Sequence, residues 1–318
     1  MHLGNSWLSR VFAVALCLLG LAAPVRAQSW LDWSRATESD SLGLVVPADA
    51  IMIGSSFLLW GGSQLLRSSI APASCRLCDG SDNRGLPSDA GDGRGSLNRV
   101  DAYFHDALAG RFVSRKTADT TSNVIAYGAV PVFALAGAIF ATGPHASDWA
   151  GARTTVILLE SVALNGAIGQ AMKFGFARKR PFIRYGHGTD GATSSEGSTY
   201  DATDPDSHFS FVSGHTSETT SLAFGVAMCA TLDDSKAAPY LWAGAGTLTA
   251  LVGTLRMVAE KHYFTDVVGG AALGAAVGVL VPLLHRTGSW LGGERDASGL
   301  RLSVIGTDGA QIAWAGTF

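Results

Sequence analysis

An all-α bundle is the expectation for this chain, and three observations lead to it. Apolar segments long enough for helices fall at 44–66, 122–142, 150–176, 212–231, 239–258 and 265–285. Between them almost nothing alternates with the two-residue period of a half-buried strand. The composition agrees: 47 % of the 318 residues are hydrophobic and only 15 % are charged, where an ordinary soluble domain carries about 25 % charge. The mean hydropathy is +0.23, so intrinsic disorder is excluded. The 39 glycines are scattered without a three-residue period, which excludes collagen and lets helices pack closely. The expected architecture is about six core helices with a small C-terminal β-hairpin.

Taken in order, residues 1–27 read as a signal peptide. Arg10 precedes an unbroken apolar run over 11–23, and Val25-Arg26-Ala27 loosely matches a small-residue cleavage site. The mature chain then begins near Gln28; an uncleaved anchor helix is the alternative. Residues 28–115 form an N-terminal helical region with a Gly/Asp-rich loop at about 71–98. Cys75 and Cys78 lie in that loop and can close a local disulfide in an exported compartment. Zinc would need two more ligands nearby, and none stand there. Residues 116–290 hold the main bundle, in which Cys229 reads as a small buried hydrophobe. A second long loop, at about 184–208, carries Asp190, Glu196, Asp201, Asp204 and Asp206. It lacks calcium-loop spacing and reads as solvated, with a length that suits a lid. In residues 291–318, Leu302 and Val304 alternate with polar neighbours. Asp308-Gly309 signals a turn, and Ile312 and Trp314 alternate on the return.

Segments 122–142, 239–258 and 265–285 are apolar enough to cross a membrane, whereas the others carry polar groups such as Glu160, Asn165, His215 and Glu218. After an export signal, helix parity puts the loop after 176 outside if 44–66 does not span and in the cytoplasm if it does. The expectation is a functional site outside the cytoplasm, in the periplasm or the envelope membrane. The formal charge of −3 and the absence of a long basic run leave no nucleic-acid footprint.

Three polar clusters interrupt the apolar helices. Lys173 and Arg180-Pro181 are seven residues apart, almost two helical turns, so both cations can face one way. Together they suit an oxyanion, which Arg grips bidentately and Lys attracts as a point charge. Arg178 and Lys179 beside them read as ordinary surface charges. Ser213-Gly214-His215-Thr216 precedes an apolar helix. The helix N-terminus binds anions, glycine admits close backbone approach, and His215 can exchange a proton. Arg256, His262 and Asp266 form the third cluster, with His262 and Asp266 one turn apart. A carboxylate beside an imidazole fixes its tautomer and frees the other ring nitrogen to attack. Each cluster alone has a bland reading: a basic helix end, a capped helix with a structural histidine, and a surface His–Asp pair.

In order, the clusters read K-x6-R-P, S-G-H and R-x5-H-x3-D. With these motifs, residues 120–285 resemble the type 2 phosphatidic acid phosphatase and vanadium haloperoxidase superfamily. The resemblance implies a phosphatase in which Lys173, Arg180, Arg256, Ser213 and the Gly214 amide hold phosphate. It further implies that His262 attacks phosphorus, Asp266 orients His262, and His215 protonates the leaving oxygen. A metal-independent phosphohistidine mechanism without cofactor follows, on a phosphomonoester or pyrophosphate of a lipid or polyprenyl alcohol. The resemblance leaves room for a haloperoxidase holding vanadate, and for a soluble periplasmic acid phosphatase acting on small phosphomonoesters. A non-catalytic envelope protein is a further alternative, which the intact set of charged residues opposes. Two positions depart from the family pattern. Val212 stands where proline is usual and is expected to loosen the turn before Ser213. Leu255 stands where serine is usual and removes a possible hydrogen bond.

Overall fold

The computed structural model describes residues 42–72, 98–143, 149–186, 200–201, 204–286, 299–304 and 310–315. The signal peptide, the Cys75–Cys78 pair, most of the 184–208 loop and the Asp308-Gly309 turn lie outside the described residues.

Helices cover each of the apolar segments. They are α1 (Val46–Leu65), α2 (Arg67–Ile70), α3 (Arg99–Leu108), α4 (Arg115–Val124), α5 (Val130–Phe140), α6 (Ala150–Phe176), α7 (Pro181–Arg184), α8 (Gly214–Leu232), α9 (Ala238–Val258) and α10 (Phe264–Leu284). A π-helical stretch, Ile125–Ala129, joins α4 to α5 without a break. The helix containing 122–142 therefore starts earlier than its apolar pattern suggests. Ser114 caps α4 by accepting the Thr117 amide, and the polar run that follows hides this turn from a hydrophobicity scan. Near the C-terminus, strands β1 (Gly299–Val304) and β2 (Ala310–Ala315) pair antiparallel, with Leu302 opposite Ile312.

Helix α8 is the centre of the bundle, and its sequence shows how. Its N-terminal half buries Thr216, Ser217, Thr219, Thr220 and Ser221, and its C-terminal half buries small and apolar residues such as Ala223, Val226 and Cys229. On α10, Gly270, Gly274 and Gly278 recur every four residues and abut the Ser213, Ser217 and Ser221 carbonyls. A Cβ at Gly270 would stand 2.5 Å from the Ser213 oxygen. Small residues at this spacing let two helix backbones touch. Several hydroxyls on α8 bond locally or across helices, while Thr219 Oγ1 is buried without a hydrogen bond. Thr220 bonds the Thr216 carbonyl at 2.7 Å, and the Asn165 amide of α6 donates to Ser217 at 3.1 Å. Apolar packing completes the bundle: Ala134, Ala138, Leu158, Val226 and Leu241 form one cluster. Leu42, Ile157, Cys229, Val277 and Val281 form another, in which Cys229 is free and buried.

Among the described residues, four helical stretches are long and apolar enough to cross a membrane: Arg115–Phe140, Ala150–Arg184, Ala238–Val258 and Phe264–Leu284. Their outward faces leave Val132, Ile139, Phe140, Leu251, Val268 and Leu280 exposed. Lipid accommodates such surface, and these stretches support a membrane location. Helix α8 is less apolar because it faces protein.

Candidate active site

The site forms where α6 ends, α8 begins, and α9 hands over to α10. Helix α6 stops at Ala177, which adopts a left-handed conformation (φ 43°) and donates its amide to the Lys173 carbonyl. A non-glycine residue in that region costs roughly 1 kcal/mol, so the tertiary structure holds it there. The turn sends Arg178 inward rather than to the surface. Its guanidinium reaches Asp266 at 2.6 Å, Asp101 at 2.9 Å and the Thr265 hydroxyl at 2.8 Å. It also lies 4.2 Å from the centre of the Tyr263 ring. The surface-charge reading of Arg178 is thus corrected. Two acids, one from each of two distant segments, converge on it and make it a buried tie.

Arg180 caps α7. Its guanidinium donates to the Asp206 carbonyl at 2.7 Å and the Lys261 carbonyl at 2.8 Å, and pairs with the Asp206 carboxylate at 2.8 Å. It also lies 3.1 Å from His262 Nε2. Asp206 is therefore engaged with the site rather than simply solvated. Burial alone would raise its carboxyl, but Arg180, Lys173, Arg67 and Lys261 outweigh that and hold it well below the usual carboxylate range. Neighbouring Asp204 caps a short 3-10 turn and pairs with Arg67 at 3.2 Å.

Lys173, from the last turns of α6, points at the start of α8. Its Nζ is 2.9 Å from where a Cβ on Gly214 would lie. Glycine thus keeps the α8 N-terminus open beside the ammonium. Ser213 occupies the N-cap position but makes no side-chain cap; its hydroxyl pairs with that of Thr216 at 2.9 Å. Its amide donates to the Asp266 carbonyl at 3.0 Å, which ties the turn to α10. His215 sits in the first turn with Nε2 2.6 Å from Asn123 Oδ1, and its ring meets Tyr127 edge-on.

From α9, Arg256 pairs with Asp119 at 2.5 Å and contacts the Ser122 hydroxyl at 3.2 Å. Leu255, where serine was usual by resemblance, packs with Ala118, Val258 and Ala259. Glu260 follows with a left-handed backbone (φ 55°). Its carboxylate pairs with Arg115 at 2.8 Å, and its carbonyl accepts the Phe182 amide. Lys261 sits over the Phe182 and Tyr200 rings, and burial lowers it to about 7. His262 is 2 % exposed.

The tautomer of His262 is set by a residue the sequence did not mark. Nδ1 lies 2.7 Å from the Ser210 carbonyl, which can only accept, so Nδ1 carries the proton and Nε2 keeps its lone pair. Asp266 is 3.9 Å from Nδ1, too far for a hydrogen bond. Instead its carboxylate accepts the Ser210 hydroxyl at 2.5 Å, the Tyr263 amide at 2.9 Å and Arg178. Asp266 therefore acts on His262 through Ser210. Burial pushes His262 well below its ordinary value of 6.5, and Arg180, Arg256, Lys173 and His215 push it further. The same charges place these residues within electrostatic reach of one nitrogen.

The site thus brings together all the residues chosen from sequence: Lys173, Arg180, Ser213, Gly214, His215, Arg256, His262 and Asp266. It adds Asp101, Asp119, Ser122, Asn123, Arg178, Asp206, Ser210 and Lys261. Several of these come from α3 and α4, far upstream of the motifs. Lys173 has no hydrogen-bond partner among the described residues, and Arg256 Nε is buried without one. Both leave donors free for an incoming anion.

Residues 154–290 match the family model of the PAP2 superfamily. A similar solved structure is described as the first transmembrane PAP2 type phosphatidylglycerolphosphate phosphatase from Bacillus subtilis. It is 19 % identical, covers 73 % of this chain and 94 % of that one, and gives a TM-score of 0.41. No curated protein matches. Every site residue picked from the sequence falls inside the stretch that matches the PAP2 superfamily model.

Proposed function

We propose that this protein is a membrane-associated phosphatase that hydrolyses a lipid or polyprenyl phosphomonoester or pyrophosphate through a phosphohistidine on His262. The match of residues 154–290 to the PAP2 superfamily model supports a phosphoester hydrolase. The observation that favours His262 most is its ring, held at Nδ1 by the Ser210 carbonyl with Nε2 presented 3.1 Å from Arg180.

In the first step the Nε2 lone pair forms a bond to phosphorus. The bond from phosphorus to the leaving oxygen breaks, and that oxygen takes a proton from His215. In the second step His215 removes a proton from water, and the water oxygen attacks phosphorus. The P–N bond breaks, and its electron pair returns to Nε2. Lys173, Arg180, Arg256, the Ser213 hydroxyl and the Gly214 amide hold the phosphoryl oxygens throughout. Fixed donors aimed at developing charge supply most of such a rate enhancement, and no step calls for a metal at this end of the bundle. Asp206, which engages Arg180, gives way as phosphate enters.

Four membrane-length helices favour an amphiphilic substrate over a small soluble ester. We place the site on the non-cytoplasmic face, following the export signal read in residues 1–27. The test is phosphate release by the detergent-solubilised chain from a lipid phosphate and a water-soluble phosphomonoester, with and without EDTA. Release blocked by vanadate, with an alkali-stable, acid-labile phosphoprotein trapped on the wild type, is expected. Full hydrolysis by His262→Ala would overturn the mechanism. Vanadate-dependent halide oxidation without phosphate release would move the chain to the haloperoxidase branch.

A further inference from the structure

Far from the motifs, Asp49, Glu160 and His285 meet inside the bundle. Asp49 lies in the first turn of α1, Glu160 in the middle of α6, and His285 just after α10. Their relative exposures are 3 %, 0 % and 0 %. His285 Nε2 is 3.0 Å from a Glu160 oxygen and 3.4 Å from an Asp49 oxygen. Yet none of the four carboxylate oxygens, nor Nε2, makes a hydrogen bond of acceptable geometry. Five buried polar atoms without a well-formed hydrogen bond at one point are rare in a folded protein.

We propose that Asp49, Glu160 and His285 bind a divalent transition-metal ion of the Zn2+ or Mn2+ class, which fastens α1, α6 and α10 together. Four features carry this. One donor atom from each of the three residues lies within 4.8 Å of the others. Metal–ligand bonds of about 2.1 Å set adjacent donors about 3.0–3.4 Å apart, which matches the two spacings to Nε2. His285 Nδ1 lies 2.8 Å from the Val281 carbonyl. With a metal bound, that bond keeps the proton on Nδ1 and leaves Nε2 as the ligand atom, the usual outer support of a metal-bound histidine. Charge closes the argument. Two carboxylates and an imidazolium leave a buried net negative charge, which is costly. Two carboxylates, a neutral imidazole and a dication balance. The imidazole favours Zn2+ over Mg2+ and Ca2+, which take oxygen ligands, and the two carboxylates suit Mn2+. Both carboxylates can bind through two oxygens, so the residues alone supply up to five donors.

This site is independent of the proposed hydrolysis. Helix α10 separates His285 from Asp266 by about 30 Å at 1.5 Å per residue. A metal here is structural.

The test uses the full-length chain in detergent. The protein is stripped with EDTA, dialysed against Zn2+ or Mn2+, and analysed for bound metal and thermal midpoint. About one ion per chain and a midpoint that falls on stripping and recovers on metal return are expected. Glu160→Gln and His285→Ala should reduce bound metal at least about tenfold, while His215→Ala keeps it. Co2+ bound to the wild type should give visible ligand-field bands, which keeps the test open if those variants fail to fold. A folded wild-type chain that takes up no stoichiometric metal and shows no midpoint shift would overturn the proposal. So would metal that is lost with His215→Ala but kept with Glu160→Gln.

Discussion

The two ends of the bundle carry opposite unmet chemistry. Where α8 begins, the unmet groups are donors: Lys173, without a hydrogen-bond partner among the described residues, and Arg256 with a bare Nε. Where α10 ends, they are acceptors: the oxygens of Asp49 and Glu160 and Nε2 of His285. Unmet buried bonding costs on the order of 1–3 kcal/mol per group and more for charges. Each end is therefore specified by the charge it lacks, an anion at one and a cation at the other. The ends also differ in permanence. At the anion end both arginines have their own support, Arg256 on Asp119 and Arg180 on Asp206. That arrangement stands with or without a ligand, as turnover requires. The acceptor end has no such internal compensation beyond the imidazole.

The largest expected effect breaks the anion end outright. His262→Ala should lower kcat by about 10^3-fold or more in phosphate-release assays, because no other nucleophile stands in its place. Arg256→Ala should cost about 10^2–10^3-fold, as loss of one donor to a developing oxyanion does. Arg256→Lys should recover little, since Asp119, Ser122 and substrate need a fork of donors. Arg178→Ala should act on stability first. It strands Asp101 and Asp266 with no cation, at a cost of about 3–5 kcal/mol, read as a lower thermal midpoint.

Smaller effects sharpen the contrast. Asn123→Ala releases one nitrogen of His215 and should lower kcat about tenfold with KM little changed, as a positioning loss does. The pH profile tests the His262 environment. Its pKa is depressed, so Nε2 stays unprotonated as pH falls through 6.5, and the acid limb of kcat/KM should lie well below that value. An acid limb at 6.5 would mean His262 is solvated or is not the nucleophile. Asp101 adds a stability counterpart. Burial raises its carboxyl, but the Thr265 amide and Arg178 outweigh that, so its folded pKa lies below the usual 3.8. Its stabilisation is complete above 3.8 and is lost as pH falls through the lower folded value. Asp101→Asn should therefore flatten stability against pH only on the acid side. The smallest effect is Asp206→Asn. Removing a carboxylate from the cationic cradle should lower KM severalfold with kcat nearly unchanged.

The motif residues were legible because catalysis confines them to short stretches with fixed spacing. Lys173 to Arg180, Ser213 to His215 and Arg256 to Asp266 each span no more than a few turns. Their partners were not legible. Asp101, Asp119 and Asn123 look like ordinary polar residues of amphipathic helices, and nothing local announces that α3 and α4 fold over the site. Arg178 was misread for the same reason, since a basic residue after a helix is usually solvated. The spacing of His262 and Asp266 correctly put them near one another. It could not tell a direct bond from one relayed by Ser210.

The sequence by itself determined the helical class, the stretches that became helices, and the residues proposed to hold and attack phosphate. Those properties depend on composition, period and short spacing, which a linear chain displays. Only the tertiary structure decided which nitrogen of His262 is free, what neutralises each cation, and that Asp49, Glu160 and His285 share one buried point. Glu160 is 111 residues from Asp49 and 125 from His285 along the chain. Such convergence leaves no local trace, because burial and charge balance are properties of packed helices rather than of any one of them.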